Sequence, residues 1–163
     1  MAQLAPDLLS ETEIAAMLAR DKILLGDLIW EEKPNNTAFV AFNANLLDES
    51  GGTIPGLTVV LTVRLGVYEQ DCRQDFGIFQ VKGGKRHRAY QINVRPWDKS
   101  SHTEPSGEIW YGPHEHIGMR AQKFPNTVQL GCSDHEEWFK LFLVNANIKF
   151  GGKYYPPVQT RLI

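Results

Sequence analysis

Cysteine is nearly absent from this chain: Cys72 and Cys132 are the only two among 163 residues. One pair does not make the disulfide framework that holds small secreted domains, and a chain of this length can bury a core without one. Both are therefore expected as reduced, buried thiols. Long apolar runs are missing too. The longest, Leu57 to Val63, falls far short of the ~20 residues that a membrane-crossing helix needs, so no membrane partner is expected. Met1 to Ser10 lack the basic start and apolar stretch of a secretory signal, and the expected compartment is the cytoplasm. Charge of one sign is not in excess: 17 Lys and Arg face 19 Asp and Glu, for a net charge of −2. That excludes a global electrostatic grip on nucleic acid or anionic lipid, but not a local patch. Internal repeats, heptads and linkers are lacking, and neither Gly83-Gly84 nor Gly151-Gly152 sits in a phosphate-cradling motif.

What is present reads as one folded domain over residues 1–163, with 42% hydrophobic and 22% charged residues. Ser10-x-x-Glu13 is a capping box, and Ile14, Met17 and Leu18 follow at helical spacing, so a helix is expected over about 10–21. Strands are expected at Asp27–Trp30, Thr37–Leu46, Leu57–Val63, Asp75–Val81 and His87–Val94, the last two joined by a Gly83-Gly84 hairpin. Leu57–Val63 is apolar nearly throughout, as a strand covered on both faces would be. Residues 98–107 read as a polar loop, and Glu108–Met119 as a strand that Pro113 interrupts or puts at an edge. A second capping box, Ser133-x-x-Glu136, opens a helix whose Trp138, Phe139, Phe142, Leu143 and Ala146 form an apolar stripe. The expected fold is α+β: an antiparallel sheet of about five or six strands, with an N-terminal helix and a C-terminal helix packed on it.

Chemistry concentrates at Gly112-Pro113-His114-Glu115-His116-Ile117. Residues two apart on a strand share a face, so His114 and His116 can serve as two ligands of one metal ion or as an acid/base pair. Zinc, manganese or iron would need a further ligand, for which His102, His87, Glu104 and Glu108 are the candidates. His102, His114 and His116 are the candidate catalytic residues. A second feature is Lys82-Gly83-Gly84-Lys85-Arg86-His87-Arg88, where Lys82, Lys85, Arg86 and Arg88 surround a tight turn that can rest on a phosphate backbone. The same charges would equally serve as a solubilising turn. Cys132-Ser133-Asp134-His135 reads as helix capping rather than as a nucleophile.

The Pro113-His114-Glu115-His116-Ile117 strand, the helix at Glu136–Leu143, then Asn147-Ile148 and Pro157-Val158-Gln159 together resemble an uncharacterised bacterial and phage domain family with a Pro-His-x-His-Ile strand. The histidine strand is also similar to that of TumE-like toxins of toxin–antitoxin pairs, whose element is Pro-His-x-x-His. The resemblance implies a compact α+β domain in a mobile, conflict-related gene setting, and no particular reaction. Three roles follow as expectations. One is a toxin-like domain that binds or cleaves nucleic acid at the His-x-His site, with Arg86 or Arg88 stabilising developing charge. The others are an antitoxin-like module that binds a cognate protein, and a sensor that holds a metal ion.

Overall fold

The computed structural model describes residues 8–64 and 72–157. Among them the chain forms helix α1 (Glu11–Ala19) and strands β1 (Lys22–Leu25), β2 (Glu31–Lys33), β3 (Asn36–Leu47), β4 (Thr53–Arg64), β5 (Gln74–Lys82) and β6 (Lys85–Val94). There follow β7 (Ser100–Thr103), β8 (Ile109–Tyr111), β9 (His114–Ile117), β10 (Arg120–Lys123), helix α2 (His135–Asn145) and β11 (Ile148–Gly151). Nine strands make one sheet in the order β10-β9-β6-β5-β4-β3-β1-β11, with β2 paired to β3, while β7 and β8 form a separate two-stranded sheet. All pairs are antiparallel except β1 with β11.

This corrects the expected α+β domain. The protein is mostly β, with a nine-stranded mixed sheet where five or six strands are expected from sequence. The additions are short. Asn147, at φ 56°, lets the chain turn out of α2 directly into β11, whose four residues pair with β1 across more than 120 positions of sequence. Strands of four residues carry too few side chains to show a period, and Glu31–Lys33 is a strand within a stretch that reads as a turn. Asp27–Trp30 carries no strand. Pro55 and Gly56 lie inside β4, which the register shift between Asn45 and Leu47 on β3 accommodates.

The core lies on one face of the sheet. Leu57, Val59, Leu61 and Val63 of β4 are fully buried there, beside Phe76 and Ile78 of β5 and Tyr90 and Ile92 of β6. Helix α2 covers this face with Trp138, Phe139 and Phe142. The Phe142 ring lies 6.2 Å from that of Phe76 and 6.3 Å from that of Tyr90, so α2 sits over β5 and β6. The Ser10 capping box forms as expected. The second one does not: α2 is capped at Asp134, whose carboxylate instead accepts from the Gly131 amide at 2.7 Å. Lys22 is fully buried and closes the other end of α1, its Nζ donating to the Met17 and Arg20 carbonyls at 2.5 and 2.6 Å. Burial pulls this ammonium down to about 8.

The cysteines are not free thiols. Cys72 and Cys132 form a disulfide, with Cα atoms 5.9 Å apart and 60 positions of sequence between them. It ties the approach to β5 to the loop before α2, where Gln74 Nε2 also donates to the Cys132 carbonyl at 2.7 Å. A partner so distant leaves no trace in local spacing. The expectation of reduced thiols therefore does not match the state seen. Cross-linking a loop of this size stabilises by about 2–4 kcal/mol. Cys132→Ser should lower stability in denaturant unfolding by that amount, and an unchanged midpoint would mean that the bond contributes nothing in solution. No helix among the described residues is long and apolar enough to cross a membrane.

Candidate metal centre

The site is built on the sheet face opposite the core. Register pairs Ile92 with Glu115 and Tyr90 with Ile117 on the core side, and Asn93 with His114 and Gln91 with His116 on the other. The same rows extend across the sheet as Thr62–Asp75–Asn93–His114 and Val60–Gly77–Gln91–His116. The polar face is thus the other half of the alternation that makes the core. Glu115, between the two histidines in sequence, points away from them and accepts from the Tyr90 hydroxyl at 2.5 Å, while Asn145 donates to that hydroxyl at 3.0 Å.

The break between β8 and β9 completes the site. Gly112 has φ 78°, and a Cβ there would lie 2.8 Å from the Trp97 ring, so the corner needs glycine. Pro113 then leads into β9, which belongs to a different sheet from Ile109–Tyr111. The chain turned in this way pairs β8 with β7 and brings Ser101, His102 and Trp110 to the histidines. The His102 ring centroid lies 5.3 Å from that of His114, 5.4 Å from that of His116 and 4.8 Å from that of Trp110.

His114 and His116 are buried, at 3% and 9% exposure, and their Nε2 atoms are 3.1 Å apart. One ring nitrogen from each of His102, His114 and His116 falls within 4.8 Å of the others, so the cluster can hold a metal ion. Two imidazole nitrogens at tetrahedral angles on one zinc, each ~2.0–2.1 Å from it, lie about 3.3–3.4 Å apart. The His114–His116 spacing is close to that value. The tautomer of His114 suits the role. Its Nδ1 faces the Gly112 carbonyl at 3.4 Å and Ser101 Oγ at 3.3 Å. Ser101 Oγ itself donates to the Gly112 carbonyl at 2.6 Å, so both neighbours of Nδ1 are acceptors. The proton belongs on Nδ1, and the Nε2 lone pair turns toward His116. Burial lowers the His114 pKa, and burial followed by the Arg88 charge pushes His116 down to about 3. Both rings are neutral at pH 7, the form that binds a metal.

Two buried polar atoms here have no hydrogen-bond partner among the described residues, His102 Nε2 and Trp110 Nε1. The nearest acidic atom to His102 Nε2 is Glu104 Oε2, at 3.6 Å, beyond a hydrogen bond. Around the histidines runs a linked set of polar side chains. Arg88 donates to Gln91 Oε1 at 3.1 Å, Asn93 donates to Gln91 Oε1 at 3.1 Å and to Asp75 Oδ1 at 2.5 Å, and Arg95 pairs with Asp75 at 3.0 Å.

The residues singled out from sequence separate here. His102, His114 and His116 converge, and His102 comes from a segment that reads as a loop but forms β7. His87 is not part of the cluster: its Nε2 lies 3.1 Å from the Lys82 carbonyl. Glu108 is exposed and paired with Lys123 at 3.2 Å. Of the basic hairpin, Arg88 donates to Gln91, the cross-strand partner of His116. Lys82 pairs with Glu13 at 2.6 Å, and the Arg86 guanidinium lies 4.9 Å from the Phe79 ring centre. Gly83 and Gly84, with φ 63° and 75°, make the tight turn between β5 and β6. The 108–119 alternation already puts Trp110 on the face of His114 and His116, and its ring lies 6.5 Å from that of His114; sequence reasoning missed Ser101, Asp75, Gln91 and Asn93. The polar–apolar alternation of Gln91-Ile92-Asn93-Val94 was the available signal for a polar second face.

Fold and site together define a mixed β-sheet domain with a buried three-histidine cluster under a small hairpin. Comparison with protein-family models, curated proteins and solved structures finds no match.

Proposed function

We propose that this protein is a metal-binding domain in which His102, His114 and His116 hold one divalent transition ion, zinc foremost, as an open centre. The observation that carries this is the convergence of three imidazoles from two sheets, with His114 Nε2 and His116 Nε2 at 3.1 Å. Three protein nitrogens are the ligand count of catalytic zinc sites, which keep a position for water or substrate, whereas structural sites are closed by four. Such an ion acidifies bound water and polarises a carbonyl or phosphoryl oxygen. The protein's own part is to fix the rings: Gly112 and Ser101 orient His114, and β7 carries His102.

Among the roles open from sequence, the metal-holding one has the most direct support. The toxin-like nucleic-acid reading keeps Arg88 as its phosphate anchor. Against it weighs the burial of His114 and His116 beneath β7 and β8, which suits a small ligand better than a polymer. Competition against a chromophoric chelator tests the metal proposal. One equivalent of zinc per chain, with cobalt(II) taking the same place, is the expected result. Binding no tighter than that of a His102/His114/His116 triple alanine variant would overturn it.

A further inference from the structure

We propose that the open position of this centre takes an organic oxyanion, its charged head between the metal ion and Arg88 and its apolar body in the cavity on the far side of Arg88. The inference rests on the metal reading and adds the class of ligand. The polar groups around the histidines are rich in donors and short of acceptors. Arg95 already has Asp75, and Asp75 is also engaged by Asn93 and by Arg73 at 3.9 Å. Arg88 is different. Among the described residues its one hydrogen bond is to the neutral Gln91, and it has no carboxylate within ion-pair distance. A half-buried guanidinium without an anion is an expensive arrangement that a bidentate oxyanion resolves. Gln91, its partner, is the cross-strand neighbour of His116. Trp110 adds a buried Nε1–H without an acceptor among the described residues. Counting Arg73, Arg88 and Arg95 against Asp75 and Glu104, the surroundings carry a net positive charge before any metal binds, which favours an anionic ligand.

The body of the ligand follows from the space next door. A cavity of about 370 Å³ is lined by Arg88, Gln91 and His87 together with apolar residues that include Leu9, Ile14, Phe79 and Met119. Arg88, bonded to the cross-strand neighbour of His116, thus also lines a cavity whose remaining walls are mostly apolar. A bare inorganic anion would leave that space unused, whereas a carboxylate with an alkyl chain satisfies both.

The test uses the full chain loaded with cobalt(II), whose visible spectrum reports the coordination sphere, at constant ionic strength in chloride. The probes are acetate, octanoate and a short single-stranded RNA. Both carboxylates should perturb the spectrum, octanoate at a concentration at least about tenfold lower, as several buried methylenes require. Arg88→Gln should take up cobalt as the parent does, yet bind both carboxylates at least about tenfold more weakly, the scale of a charge-assisted hydrogen bond. Arg88→Lys, which keeps the charge and loses the fork, should fall between. Equal binding of acetate and octanoate, or carboxylate binding untouched in both Arg88 variants, would overturn the proposal while leaving the metal centre in place. Perturbation by RNA at lower concentration than by octanoate would overturn it in favour of the nucleic-acid reading. Failure of the parent chain to take up cobalt would overturn the metal reading itself, and this inference with it.

Discussion

Replacing His116 with alanine is expected to remove tight zinc binding altogether. Loss of a group that only orients a ligand already costs ~10–100-fold in metal affinity, and His116 is proposed as a ligand itself. Its alanine variant leaves two nitrogens, one of them on the β7–β8 hairpin, and two ligands do not make a site. His114→Ala should act alike, and His102→Ala should fall in the same range. The effect is also legible in stability. An ion that binds only the folded state stabilises it by ~2.7 kcal/mol when present at a hundred times its dissociation constant. Zinc should therefore raise the Tm of the parent and leave that of each histidine variant unchanged. A histidine variant that keeps the full zinc-induced rise would place the ion elsewhere. Ser101→Ala, which frees the Gly112 carbonyl and removes one acceptor from His114 Nδ1, should weaken zinc binding by less than any ligand substitution does.

The second large effect is in the core. Phe142 of α2 is fully buried against the sheet, near the rings of Phe76 and Tyr90. Its truncation to alanine removes the ring contacts of the helix with Phe76 and Tyr90 and leaves a hole between helix and sheet. Phe142→Ala should cost about 3–5 kcal/mol in denaturant unfolding, as aromatic-to-alanine changes in cores do. A loss below about 1 kcal/mol would mean that α2 does not pack as described. The histidine face is on the opposite side of the sheet. Zinc should still raise the stability of the Phe142 variant, which separates core damage from damage to the centre.

Where the period is long enough to repeat, the elements could be read from the chain. β4, β5 and β6 emerge from Leu57–Val63, Asp75–Val81 and His87–Val94, and α1 and α2 from a capping box and an apolar stripe. What failed to show were most of the four-residue strands, β9 excepted. β7 hides in a polar stretch because His102 and Ser101 face a site rather than a core, so the apolar half of the alternation is missing. β1 and β11 meet across nearly the whole sequence, and the Cys72–Cys132 bond across 60 positions; neither has a local signature. The centre was half legible for the same reason. His114 and His116 belong to one strand, so their common face follows from a two-residue period. The choice of His102 over His87, Glu104 and Glu108 depends on the corner at Gly112-Pro113, which moves β8 off the main sheet. That corner is tertiary information.

X-ray absorption at the zinc edge of the one-to-one complex examines the metal proposal at its centre. Three imidazole nitrogens at ~2.0–2.1 Å, with one further light atom, are expected. The nitrogen count should fall, and the imidazole scattering weaken, in His102→Ala. A first sphere of carboxylate oxygens, or one that is identical in the parent and in a chain lacking all three histidines, would contradict a three-histidine centre.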